Sequence, residues 1–226
     1  MEASVVEWCE AYTDKYSYST NIAELTNTYS NFVFVFIGLL SIYEFNQPLF
    51  RKCNMALLIL GIGSGIFHAT DTYLGQILDE LPMSILTYYY ISIACHIQRW
   101  RFPRVIYIGL ATLCWSLYIT YRIYTIFLSL FAIQLLLPVL IIIFYTNKTS
   151  SQKRYLRAAG LFAIIAKSCW FYERYLHATF QCPTIINEPT YYLHSYWHIG
   201  IAIAHYLLMK TMFASIQKES LISNQI

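Results

Sequence analysis

Three histidines carry the strongest chemical signal in this 226-residue chain: His68, and the pair His194 and His198 within YYLHSYWHIGIAIAH. On a helix, residues four apart share a face, so His194 and His198 stack, and Ser64 and His68 repeat the spacing. Three neutral imidazoles plus a water form a tetrahedral zinc site with one open position. A shell of histidines alone suits zinc better than calcium or magnesium. Beside such a centre, Asp79 could take and return a proton, and the Ser64 hydroxyl could donate to a developing oxyanion. Each residue also has a plainer use. Asp79 could cap a helix ahead of Pro82. Ser64 could be a packing residue among Gly61, Gly63 and Gly65, as small residues often are in membranes. The surroundings favour chemistry, because ionisable side chains inside a membrane are rare and usually functional. His205 and His96 read as hydrogen-bonded interior histidines, and His177 has no assigned role.

The elements that must hold these residues are membrane helices. Hydrophobic residues make up 58% of the chain and charged residues 12%, against roughly half and a quarter in soluble domains. The net charge of +3, with no basic cluster interleaved with aromatics, excludes a nucleic-acid partner. Cysteines 9, 53, 95, 114, 169 and 182 show no CxxC spacing, so neither a zinc ribbon nor a thioredoxin-type pair is expected. Residues 1–24 are polar and acidic without an apolar core, so no signal peptide is expected. Apolar runs at about 28–46, 55–72, 80–98, 104–121, 123–145, 157–177 and 194–214 match the roughly 20 residues a bilayer requires. The expected fold is therefore all-α, a polytopic membrane protein built as a seven-transmembrane-helix bundle. Its division is a luminal segment 1–27, a helical domain 28–214 and a short tail 215–226.

Loop charges set the orientation. Arg51, Lys52, Arg99, Arg101, Arg104, Lys148, Lys153, Arg154, Arg157, Lys210 and Lys218 fall on one side; Glu2, Glu7, Glu10, Asp14, Glu24, Asp71 and Glu188 fall on the other. Positive loops stay cytoplasmic, so the N-terminus is expected in the lumen or outside and the C-terminus in the cytosol. His68 then ends span two near the luminal face, Asp79 opens span three there, and His194 and His198 begin span seven there. Residues from three separate spans converge at one depth.

Glu7, Glu10, Asp14 and Glu24 precede the first span. Carboxylates alternating with backbone carbonyls are the material of a calcium site; the alternative is a solvated acidic tail. Cys9 and Cys182 are the cysteines expected on the luminal side, where an oxidising compartment permits a bridge. The other four read as buried core thiols.

The stretches EWCE, IAELTNTYSN, GIGSGIFHAT, GQILDELPM and HSYWHI occur in the order found in alkaline ceramidases. From Glu7 to span seven the chain resembles that family, seven-span zinc hydrolases whose superfamily includes the adiponectin receptors. The resemblance implies His68, His194 and His198 as zinc ligands, with Ser64 and Asp79 holding the attacking water. It also implies a luminal calcium site from Glu7, the Trp8 carbonyl, Glu10 and Glu24, with Asp14 as a substitute ligand, and a luminal disulfide starting at Cys9. Glu7 stands where the family has aspartate, no asparagine follows Glu10 closely, and Glu173 lies near a family aspartate. The implied activity is hydrolysis of ceramide, taken from the bilayer, to a sphingoid base and a fatty acid in the endoplasmic reticulum or Golgi membrane. No protein partner is indicated. The rival expectations are a zinc hydrolase of another N-acyl lipid or ester, and a seven-span receptor or transporter with structural zinc.

Overall fold

The computed structural model describes residues 2–15, 19, 21–146, 148–184 and 186–223, with the backbone alone for residue 14 and for 218–223. Asp14 as a calcium ligand therefore lies outside the described side chains. Among the described residues there is no strand; the chain is 81% helical.

A short α1 (Cys9–Asp14) and α2 (Leu25–Ser30) precede the long helices α3 (Phe32–Glu44), α4 (Pro48–Thr70), α5 (Tyr73–Ile97), α6 (Arg104–Tyr121), α7 (Tyr124–Tyr145), α8 (Ser150–Ala178) and α9 (Leu193–Ser223). By length and composition α2–α3, α4, α7 and the stretch leading through α9 can each cross a membrane. The helices α5, α6 and α8 are 25, 18 and 29 residues long but more polar. α5 carries Asp79 and Glu80, and α8 carries Lys153, Arg154, Arg157, Lys167, Glu173 and Arg174.

The core lies where α3, α4, α5 and α9 meet, around Phe34, Leu57, Ile93 and Met209. α8 packs along α9, α7 packs on α5, and α6 packs on α7. Outward faces are apolar as well: Phe36 is 64% exposed, Val105 86% and Phe144 73%. Soluble monomers rarely show large contiguous apolar surface, whereas such a surface suits lipid tails.

Two expectations for α5 need correction. The helix starts at Tyr73 rather than near residue 80, because Thr72 caps it by accepting a hydrogen bond from Gly75 N at 3.2 Å. Asp79 thus sits in the second turn and caps nothing. Pro82 lies inside the helix, not in its first turn, and its missing N–H leaves the Leu78 carbonyl without an intrahelical partner. Gly63 of α4 packs on that carbonyl so closely that a Cβ there would stand 2.0 Å from the Leu78 oxygen. The proline and the glycine together bring α4 and α5 into backbone contact next to Ser64 and Asp79.

The acidic N-terminal segment is no solvated tail. Residues 2–5 run along the start of α5: Tyr73 N donates to Glu2 O at 2.9 Å and Val5 N to the Gln76 side chain at 2.8 Å. Further on, Ala23 N and Glu24 N donate to the carbonyls of Ala69 and His68 at 2.9 and 3.0 Å. Cys9 and Cys182 form a disulfide that ties α1 to the loop before α9. Of the other cysteines, Cys53 and Cys95 are buried, as expected, but Cys114 and Cys169 are half-buried because their helices lie at the bundle periphery.

Candidate metal centre

His68 stands in α4's last turn, two residues before the helix ends at Thr70, and His194 and His198 occupy the first two turns of α9. All three are at least 97% buried. One ligand atom from each falls in a group whose members all lie within 4.8 Å of one another. Ring centroids are separated by 4.6 Å (His194–His198), 4.8 Å (His68–His194) and 5.2 Å (His68–His198).

The remaining nitrogens are each held from outside. His68 Nδ1 lies 2.7 Å from Glu24 Oε2, and His194 Nδ1 lies 2.9 Å from Glu173 Oε2. Carboxylates accept, so both rings carry the proton on Nδ1. His198 Nδ1 lies 2.6 Å from Ser30 Oγ, whose own hydroxyl already donates to Asn27 O at 2.8 Å. Ser30 must therefore accept as well. Each imidazole is fixed with a lone pair on Nε2, and His68 Nε2 is buried with no hydrogen-bond partner. An orphaned buried acceptor beside two similar rings is the donor set a tetrahedral zinc takes, with outer carboxylates orienting the ligands. The residues fit zinc.

Asp79 and Ser64 line the same cavity as His194 and His198. Ser64 neighbours Asp79 across the close contact of α4 and α5. The cavity holds about 280 Å³ and is walled largely by apolar side chains, with Val6 and Trp8 from the N-terminal segment among them. The Trp8 ring lies 3.9 Å from the His194 ring, centroid to centroid.

The residues expected to hold calcium do other work. Glu10 is buried, and its carboxylate accepts from Thr26 N, Thr26 Oγ1 and Asn27 N at 2.8, 2.7 and 2.9 Å. It serves as a remote N-cap for α2, whose own N-cap residue Glu24 makes no cap bond. Burial pushes the Glu10 carboxyl above the usual carboxylate range, against the hydrogen bonds from Thr26 and Asn27. Glu24 instead spends Oε2 on His68 and on Asn27 Nδ2. The Trp8 carbonyl accepts the first hydrogen bond of α1, from Tyr12 N. The Glu7 side chain is turned outward to His177, 3.5 Å away. Among the described residues the carboxylates 7, 10 and 24 form no common cluster; the three histidines are the one such group.

His205 is interior as expected, between Tyr90 Oη at 2.6 Å and Asn54 Oδ1 at 2.9 Å. His96 is exposed at the end of α5, not interior, since α5 ends one residue beyond it. Sequence reasoning missed the roles of Ser30, Glu24 and Glu173. A carboxylate in a membrane helix is itself a signal, so Glu173 could have been found; nothing local marks Ser30.

The family model described as Ceramidase matches residues 1–223. This chain belongs to the ceramidase family. An alkaline ceramidase of Drosophila melanogaster is 29% identical over 235 residues, covering 96% of this chain and 79% of that protein. Alkaline ceramidase 1 of Homo sapiens is 28% identical, covering 93% and 82%. An alkaline ceramidase of Arabidopsis thaliana is also 28% identical, covering 90% and 80%.

Proposed function

We propose that this chain is an integral-membrane, zinc-dependent amidase that hydrolyses ceramide to a sphingoid base and a free fatty acid. It crosses the membrane of the endoplasmic reticulum or Golgi seven times, with the N-terminus luminal and the C-terminus cytosolic. The substrate class follows from relatives described as alkaline ceramidases over nearly the whole chain. The observation that carries the chemistry is the convergence of three outwardly anchored imidazoles beside a cavity that also holds Asp79. The orientation is supported by the disulfide, which belongs to an oxidising compartment and lies at the same end of the bundle as the histidines.

His68, His194 and His198 would hold the zinc through Nε2. Bound there, it would supply Lewis acidity, polarising an amide carbonyl and making water acidic enough to ionise near neutrality. The protein's residues do the rest. Glu24, Glu173 and Ser30 keep each Nδ1 protonated, so the rings stay neutral and fixed. Asp79, steadied by Ser64, takes the proton of the attacking water as the C–O bond forms and gives it to the nitrogen as the C–N bond breaks. Once Asp79 has taken that proton it can donate to the Ser64 oxygen, and the Ser64 hydroxyl would then donate to the carbonyl oxygen as charge builds on it. Val6 and Trp8 shield this end of the cavity from bulk water.

A lipid-product assay with metal analysis tests the reading. His68→Ala should lose zinc and turnover together. Asp79→Asn should keep zinc and lose about 10²–10⁴-fold in turnover, the usual range for a general acid–base group. Protein that binds zinc but cleaves esters or other N-acyl lipids in preference to ceramide would overturn the substrate assignment. Full activity in Asp79→Asn would overturn the mechanism and favour structural zinc.

A further inference from the structure

Lys167 is the one lysine or arginine among the described residues that line the cavity. It lies within α8, 17 residues after Ser150 and 11 before Ala178. At 1.5 Å per residue that is about 25 Å and about 16 Å from the two ends. An ammonium at such a depth is costly and tends to mark a functional position. Its height is set by packing. A Cβ on Gly200 would stand 2.8 Å from the Cβ of Ala166, so Lys167 sits level with the turn of α9 that follows His198.

Aromatic faces hold this ammonium. Nζ lies 3.4 Å from the centroid of Trp170, 4.7 Å from that of Phe171 and 5.3 Å from that of Trp197. Trp170 and Trp197 line the cavity too. Ring quadrupoles attract a cation but leave its charge unneutralised. The carboxylates paired to a lysine or arginine among the described residues, Glu2, Asp71 and Glu44, pair with Arg122, Lys15 and Lys210; none pairs with Lys167. The two carboxylates in the cavity wall, Asp79 and Glu80, both belong to α5.

We infer that Lys167 is the binding site for the carboxylate of a long-chain fatty acid whose tail occupies the apolar cavity. A neutral amide lipid gives an ammonium nothing to neutralise, whereas the released acid gives it a full counter-charge in a low-dielectric pocket. The carboxylates on α5 repel the same anion and direct it to the α8 wall. Lys167 is thus a product-binding residue, and this role rests on the reading that the chain releases a fatty acid.

The test is direct binding rather than turnover. Purified full-length protein in an uncharged detergent is titrated calorimetrically with oleic acid and with oleyl alcohol, at mildly alkaline pH where the acid is ionised. Wild type should bind the acid about tenfold more tightly than the alcohol, as expected for one charge-assisted contact. Lys167→Met should erase that preference and Lys167→Arg should retain it. Equal affinity of the wild type for acid and alcohol would overturn the inference, and this comparison needs no variant to fold. Equal weakening of both ligands by Lys167→Met would also overturn it, as a packing effect. A protein that prefers the acid through Lys167 yet cleaves no ceramide keeps this inference and loses the proposed activity; the reverse outcome separates them equally well.

Discussion

Replacing Gly63 with alanine tests how the site is assembled. A Cβ at this position would lie 2.0 Å from the Leu78 oxygen and 2.7 Å from its carbonyl carbon. Both are backbone atoms of a neighbouring helix, so no side chain can swing aside. To reach an ordinary contact of 3.4 Å the two helices must part by about 1.4 Å at this point. Overpacking a formed core costs about 1–3 kcal/mol, and a clash of backbone with backbone belongs at the top of that range. The displacement acts where Ser64 on α4 meets Asp79 on α5. A shift near 1 Å in a catalytic group costs about 100-fold in rate, so Gly63→Ala should lose at least that much turnover while its melting temperature falls by several degrees. Gly65→Ala is the control on the same helix, because its Cβ would meet only the Asn31 Cβ at 3.9 Å. Thermal unfolding and ceramide turnover are measured on both. If Gly63→Ala matches Gly65→Ala in stability and rate, the α4–α5 contact does not set the Ser64–Asp79 geometry and the reasoning fails.

Two further outcomes follow from the outer partners of the histidines and from α2. Glu173→Gln and Glu24→Gln should each weaken zinc affinity by about 10–100-fold, measured by competition with a chelator; unchanged affinity would show that Nδ1 anchoring is irrelevant. Glu10 has its carboxyl raised by burial, so the folded state holds that proton more tightly than the unfolded chain does. Its contribution to stability therefore declines as pH rises from the ordinary 4.5 through the raised value and stays low above it. Against Glu10→Gln, wild type should lose relative melting temperature over that interval; a relative gain would refute the assignment.

Much was legible in the sequence because membranes restrict what a chain can do. Lipid forces the backbone into helices, so apolar runs read out as the long helices from α3 to α9, and the rare histidines and Asp79 stood out against them. The i,i+4 spacing of His194 and His198 fixes a shared face in any helix, whatever it packs against. The expectation that Cys9 and Cys182 share one side of the membrane likewise anticipated their bond.

Tertiary structure decided what touches what between elements far apart in the chain. Glu10 and Glu24 look alike as acidic residues, but one caps α2 and the other orients His68. Ser30 meets His198 across 168 positions and Glu173 meets His194 from another helix; spacing encodes neither. Pro82 read as a helix start and proved interior, because Thr72 supplied an earlier cap. The reason is physical: periodicity and hydropathy are local properties that the chain carries in itself, whereas a hydrogen bond across the bundle depends on how closely two backbones approach.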